Sequence, residues 1–109
     1  MGLSKWFRRR AAQKTREELL RMVQELREPM AAISDQIDAS GGQPVSEGQA
    51  FERLVELRQG LHEQIVDGPL TPDEVDHFLM PHLAKESRGV AMAVRASIEK
   101  ARQTVSSNG

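Results

Sequence analysis

The sequence contains no cysteine and no tyrosine, and aromatic residues make up only 4% of its 109 positions. Without cysteine, the chain can form no disulfide bond, no thiolate metal site and no cysteine nucleophile. It therefore shows no adaptation to an oxidising compartment, and we expect a cytoplasmic location.

Long apolar runs are missing from the sequence as well. No stretch approaches the roughly 20 apolar residues that a helix needs to span a bilayer. The basic N-terminus is not followed by the apolar segment of a secretory signal peptide. We therefore expect neither a transmembrane helix nor a signal peptide of that kind.

Patterns that support catalysis are also lacking. The sequence has no glycine-rich phosphate loop and no His-Glu-x-x-His pair. Residues 97–100 match the S-x-x-K pattern by their letters, but the companion elements of that enzyme class are missing. Asp73 and His77 lie four residues apart on one predicted helix, yet they supply only part of a metal-ligand set. We therefore predict a chain that is not an enzyme and has no catalytic residue, metal site or cofactor.

What the sequence does contain is helical periodicity. In the first half, apolar residues alternate at spacings of four and three, which is the pattern of a coiled-coil heptad seam. These residues are Leu19, Val23, Leu26, Met30, Ile33 and Ile37. The flanking positions are also partly apolar, and this wider stripe favours packing inside a helical bundle. Because the seam stays in register across Pro29, we predict a kink there in a helix that ends near Ala39.

Two further helices are predicted downstream. Residues 46–49 have the form of a capping box, in which Ser46 and Gln49 satisfy free backbone amides, and the helix that follows would run to about Val66. The third helix is predicted to start at Thr71 as N-cap, with proline in its first turn, and to run to about residue 104. Its apolar stripe is interrupted by Pro81, where we predict a second kink.

The expected fold class is therefore all-α: an up-down-up three-helix bundle with kinks at Pro29 and Pro81, since the short loops imply antiparallel neighbours. Its length suits one hydrophobic core. We divide the chain into a basic amphipathic N-terminal arm at residues 1–14, a helical bundle at residues 15–104 and a disordered tail at residues 105–109.

The net charge of -1 conceals an asymmetry between the arm and the rest of the chain. The first 16 residues hold six basic side chains and no acidic one, whereas the remainder holds nine basic and 16 acidic side chains, a net charge of -7. A basic arm on an acidic body is typical of proteins that contact polyanions. Those polyanions are lipid headgroups or nucleic acid.

The N-terminal arm combines this charge with apolar side chains. On a helix, Leu3, Trp6 and Phe7 fall on one side, which we call the aromatic face, while most of the cations fall on the other side. Such a helix inserts its aromatic residues at a membrane interface while its cations meet anionic headgroups. The residues predicted to contact a membrane or another polyanion are Leu3, Lys5, Trp6, Phe7, Arg8, Arg9 and Arg10. In the alternative interpretation, Trp6 and Phe7 fold back and cap the core of the bundle.

A row of small residues marks the predicted third helix. The row consists of Gly89, Ala93, Ser97 and Ala101, which recur at every fourth position. Small side chains at this spacing let another helix approach closely. That helix belongs either to the same chain or to a homodimer or partner interface.

Together these features predict a non-enzymatic helical adaptor or regulatory protein that binds a protein partner. Its basic arm would touch an anionic membrane and place the protein peripherally at the inner face of that membrane. The alternative is a nucleic-acid-binding accessory protein that uses the same cations without sequence specificity. A homodimer remains open in either case.

Overall fold

The computed structural model describes residues 2–108, and the side chains of residues 5–107, as an assembly of helices with no strand in that range. The helices are α1 (Gly2–Glu25), α2 (Arg27–Ala39), α3 (Gln49–Asp67), α4 (Pro72–Leu83) and α5 (Arg88–Asn108). The expectation of an all-α fold is thereby confirmed. Residues 2–14 of the arm belong to α1 without interruption, and α5 includes most of the segment that the sequence predicts as a tail.

The first predicted helix is divided at Leu26. The amide of Leu26 is shared between the carbonyls of Met22 and Val23, both at 3.2 Å, which tightens the last turn of α1. Pro29 lies in the first turn of α2, where its missing amide leaves no helical hydrogen bond unmade. A proline in one continuous helix would deprive the carbonyl of Glu25 of its donor. The break therefore falls three residues before Pro29, and a kink at Pro29 itself is not confirmed.

Helix α3 begins at Gln49, behind Gly48. Gly48 has a φ of 103°, in a region that glycine adopts far more readily than other residues. No side chain caps this helix, and Ser46 lies outside it. The predicted capping box at residues 46–49 is therefore wrong, because the chain enters α3 through a glycine turn instead.

Helix α4 begins where the sequence predicts. The amide of Glu74 donates to Thr71 Oγ1 at 3.1 Å, and the amide of Thr71 donates to Glu74 Oε1 at 3.0 Å. These reciprocal bonds satisfy two backbone amides at the helix start. Pro81 lies inside α4, two residues before its end at Leu83, and a kink there is not confirmed.

The chain reverses between Leu83 and Arg88, so the predicted third helix is two helices, α4 and α5. Arg102, near the end of α5, donates to Asp73, near the start of α4, which shows that the two helices run antiparallel. Helix α3 packs against each of the other four helices, and the up-down-up arrangement of three helices is not confirmed. The prediction missed the reversal because residues 84–87 contain neither glycine nor proline.

The core lies between the packed helices. Its largest fully buried side chains are Leu19, Val23, Leu26, Leu61, Ile65, Val75, Leu79, Val90, Val94 and Ile98. Within each segment they recur at intervals of three or four residues, which is the spacing of one helix face. Full burial of such a side chain stabilises the fold by about 1.5–3 kcal/mol relative to exposure.

The molecule is long for its size. Its extents are 59 × 29 × 22 Å and its Cα radius of gyration is 15.6 Å, whereas a compact domain of this length would have a radius near 13 Å. At about 1.5 Å per residue, α1 alone, with 24 residues, is about 36 Å long. In residues 2–108, no helix combines the length and the apolar character that crossing a bilayer requires.

Candidate membrane-contact site

The N-terminal arm forms the first half of α1 and passes beside the connection between α3 and α4. Among the side chains of α1 that the structure describes, the first buried one is Thr15, and Ala12 is partly buried against the core. Residues 5–11 are all exposed. Their side chains are therefore available to an external surface, while the helix that holds them is anchored by its own second half.

The two described side chains of the aromatic face lie on the surface of the protein. Trp6 is 51% exposed and Phe7 is 59% exposed. Their rings contact each other edge to face, with centroids 5.0 Å apart, and the Arg10 guanidinium lies 5.3 Å from the centre of the Trp6 ring. The side chain of Leu3 is outside the described residues. This exposure does not support the interpretation in which Trp6 and Phe7 cap the core.

The direction of the aromatic face follows from the continuity of α1. At about 100° per residue, Trp6 and Phe7 lie roughly 140° and 120° around the helix from the buried Leu19. They face away from the side of α1 that packs on the bundle. No straight helix could therefore bury Leu19 and both aromatic rings in the same core.

The cations of the arm lack acidic partners. In the part of the chain whose side chains are described, Lys5, Arg8, Arg9, Arg10 and Lys14 form no ion pair. In the bundle, Arg21, Arg27, Arg53 and Arg102 are paired with acids, whereas the other described cations from residue 58 onward are not. The positive charge of the arm is therefore uncompensated within the molecule.

One ion pair of the bundle joins two segments that are far apart in sequence. Arg27 at the start of α2 donates to both carboxylate oxygens of Glu86, which lies between α4 and α5. These hydrogen bonds lower the pKa of Glu86 and raise that of Arg27. Such a two-fold contact joins segments far apart in sequence, which sequence patterns alone did not predict.

The acids of α4 are also used structurally. Arg102 donates to Asp73 at 3.0 Å and to Asp76 at 3.2 Å. These bonds, with one to Glu99, raise the pKa of the Arg102 guanidinium. His77 is exposed, and the residues that the structure describes contain no group of three or more ligand-type side chains arranged to hold a metal ion. Asp73 therefore serves to join α4 to α5.

The row of small residues packs inside the chain. Ala93, Ser97 and Ala101 are buried and Gly89 is half-buried. The Ser97 hydroxyl lies 3.2 Å from the carbonyl of Ala93 and 3.4 Å from that of Arg58 on α3. This side of α5 therefore faces α3, which agrees with the intramolecular interpretation of the row.

A groove that the sequence did not reveal lies beside the connection between α4 and α5. It has a volume of about 750 Å³ and lies between α2 and the start of α5. Its apolar lining comes mainly from Met30, Ile33 and Ile37, which continue the heptad pattern past the break at Leu26. The spacing of these residues was visible in the sequence, but the groove depends on where α5 begins.

Comparisons of the chain with protein-family models, curated proteins and solved structures found no match. Function is therefore inferred from the geometry of the arm and of the bundle.

Proposed function

We propose that this chain is a non-enzymatic helical adaptor or regulatory protein. Its arm contacts an anionic membrane and its bundle binds a protein partner. The observation that supports this most directly is the exposure of Trp6 and Phe7 beside unpaired cations on a helix that extends beyond the core. The protein would then be cytoplasmic and peripheral, at the inner face of a membrane.

The arm has the two components of a reversible interfacial anchor. Aromatic side chains enter the boundary between headgroups and acyl chains, and each basic residue near an anionic surface contributes about 1 kcal/mol. Arg10 and Lys14 lie on the same side as the aromatic face, and their long side chains would extend back to the headgroups. The acidic body would be repelled by the same surface, so the arm would hold the bundle away from the membrane.

The groove between α2 and α5 is the surface that best suits a protein partner. Its lining of Met30, Ile33 and Ile37 suits the apolar face of an amphipathic helix, a common occupant of such grooves. It lies beside the residues that follow α4, whereas the arm passes beside the start of that helix. A partner bound there would therefore not compete with the membrane for space.

The proposal is tested by sedimentation with anionic and with neutral vesicles. We compare the intact chain with Trp6→Ala plus Phe7→Ala and with a variant that lacks residues 2–11, a deletion that stops before the core contact of Ala12. The matched control is Met80→Ala plus Met92→Ala, since these side chains are 55% and 58% exposed. We expect the intact chain and the control to sediment with anionic vesicles only, and both arm variants to stay in the supernatant.

Two outcomes would redirect the assignment. If the intact chain stays in the supernatant with anionic vesicles at low salt, the membrane contact is wrong. If it instead binds duplex DNA or RNA, and this binding survives loss of Trp6 and Phe7 but falls steeply with salt, the nucleic-acid accessory function is favoured. The unpaired cations of the arm support the nucleic-acid alternative. The exposed aromatic face is explained by membrane contact and has no role in that alternative.

A further inference from the structure

A second surface of the arm forms a groove with the bundle. We call it the arginine groove, and it has a volume of about 480 Å³ where α1 passes the connection between α3 and α4. Its lining residues on α1 are Arg8, Arg9, Ala12, Gln13 and Arg16. Pro69, Leu70 and Glu74 form the opposite wall. Three arginines therefore line one concavity.

The arginine groove and the aromatic face lie on different sides of α1. At about 100° per residue, Arg8, Arg9 and Arg16 fall within an arc of about 100°, and the centre of this arc is about 150° from that of the aromatic face. Ala12 lies between them, and its small side chain leaves room between the arginines.

The charges that line the groove favour an anion. Arg8 and Arg9 form no ion pair within the described side chains, and the Arg16 guanidinium lies 5.8 Å from the centre of the Phe78 ring. The one acid of the lining, Glu74, accepts a hydrogen bond from the amide of Thr71, which is the main reason why its pKa is lowered. Three positive charges thus face one negative charge, and a dianion would balance the excess.

We infer that the arginine groove binds a terminal phosphate group, either of a free phosphomonoester or pyrophosphate or of a lipid headgroup. Guanidinium groups present planar pairs of donors that match phosphate oxygens. A terminal phosphate has a charge of about -1.5 to -2 at neutral pH, more than the single charge of a phosphodiester. The site is separate from the proposed membrane contact, and only the lipid-linked form of the ligand depends on that contact.

The first test is calorimetric titration of the full chain with inorganic pyrophosphate. We expect saturable binding of one pyrophosphate per chain, and we expect Arg8→Gln plus Arg9→Gln to weaken it by about 10-fold or more. The comparison is Arg10→Gln plus Lys14→Gln, which removes the same charge from the other side of the arm and should weaken binding no more than about twofold. Circular dichroism verifies that both variants keep their helices.

Vesicles distinguish the source of the phosphate. Phosphatidic acid presents a terminal phosphate, whereas phosphatidylserine presents a phosphodiester, so the two are compared at equal surface charge. A preference for phosphatidic acid that Arg8→Gln plus Arg9→Gln abolishes would identify a lipid source. Pyrophosphate binding without such a preference would identify a free ligand, whether or not the arm binds membranes.

Two results would overturn the inference. One is the absence of both saturable pyrophosphate binding and a preference for phosphatidic acid. The other is an equal loss of affinity in the two double variants, since diffuse attraction to the arm, and not the groove, would then explain binding. Neither result bears on vesicle binding through Trp6 and Phe7, which is measured with phosphatidylserine alone.

Discussion

Gly60 and Gly89 both lie inside helices, but a side chain would meet different surroundings at each. A Cβ at Gly60 of α3 would lie 3.0 Å from Met22 Cε, the free end of a flexible side chain. A Cβ at Gly89 of α5 would lie 2.8 Å from both Cγ and Sδ of Met30. Met22 can move its terminal methyl group aside, whereas Met30 would have to shift most of its side chain.

The two alanine variants should therefore change stability in opposite directions. Gly60→Ala is expected to raise the free energy of unfolding by up to about 1 kcal/mol, because alanine is the better helix former in the middle of α3. Gly89→Ala gains little from propensity near its helix start and is expected to lower that free energy by about 1 kcal/mol or more through overpacking. Urea unfolding of both variants measures the difference. Equal stabilisation would mean that α2 and α5 do not approach closely at Gly89.

At this scale the sequence predicts which residues are small, but not what they face. The row that contains Gly89 and Ser97 was recognisable from its spacing. The structure shows that the row packs against the same chain. Ser97 contacts Arg58, 39 residues away in sequence, and Gly89 contacts Met30, 59 residues away. Such contacts follow from the packing of several helices at once, and no local pattern specifies them.

Helix starts show how far local patterns can be relied on. Thr71 caps α4 as predicted because a threonine, a proline and acids occur together, and each of them favours a helix start on its own. The capping-box pattern at residues 46–49 was matched by Ser46 and Gln49 alone, and the same four residues include Gly48. Glycine with a positive φ offered the chain a different route into α3, and the cap did not form.

The cap of α4 makes the stability of the protein depend on pH. The hydrogen bond from the amide of Thr71 lowers the pKa of Glu74 below its ordinary value of 4.5. Because the folded-state pKa is the lower one, ionised Glu74 stabilises the fold above about pH 4.5, and this contribution is lost as the pH falls through the folded-state value. Glu74→Gln should therefore destabilise the protein at neutral pH and have little effect in acid.

Urea unfolding at a series of pH values, with Glu47→Gln as control, tests this dependence. Glu47 is an exposed glutamate outside the helices, so its replacement should leave the pH profile unchanged. A difference between the intact chain and Glu74→Gln that stays constant from neutral to acidic pH would contradict the assigned cause.

Helix ends were harder to predict than helix interiors. The buried residues Leu19, Leu61 and Val94 lie where the periodicity places them, since each apolar stripe must face the core. Pro29 has no amide hydrogen to donate. The chain therefore breaks at Leu26, which leaves Pro29 in the first turn of α2, where no such bond is needed. The reversal before α5 places Glu86 in contact with Arg27, a contact between segments 59 residues apart that no local pattern specifies.

Across the whole molecule, the arm should add function but little stability. Residues 5–11 are exposed, so their loss removes almost no buried apolar area. We expect the variant lacking residues 2–11 to keep its thermal midpoint within about 2 °C, as exposed residues contribute little to stability. Differential scanning calorimetry measures this midpoint.

The control for this measurement lies on the same helix. Leu19→Ala removes a fully buried side chain and should lower the free energy of unfolding by about 2–5 kcal/mol. If deletion of residues 2–11 lowered the thermal midpoint as much as Leu19→Ala does, the arm would be part of the fold, and its proposed role as a free surface would be wrong.

The candidate site was predictable in composition but not in orientation. The sequence shows the cations and aromatic residues of the arm and the acidic balance of the body. It does not show that one uninterrupted helix joins the arm to the core, and this continuity sets the direction of Trp6 and Phe7 relative to Leu19. The arginine groove was missed for the same reason, because it needs Pro69 and Leu70 beside Arg8.

The continuity of α1 has a mechanical consequence. Helix α1 continues from Arg10 to Thr15 without a break, so the arm and the start of the bundle share one helix axis. A surface that binds the aromatic face of the arm would therefore also fix the rotation of the bundle about that axis. Binding of the arm would then also set the orientation of the bundle. A bundle attached through a flexible loop would adopt many orientations relative to the surface. This bundle would instead hold the groove between α2 and α5 at a constant angle to the surface that binds the arm.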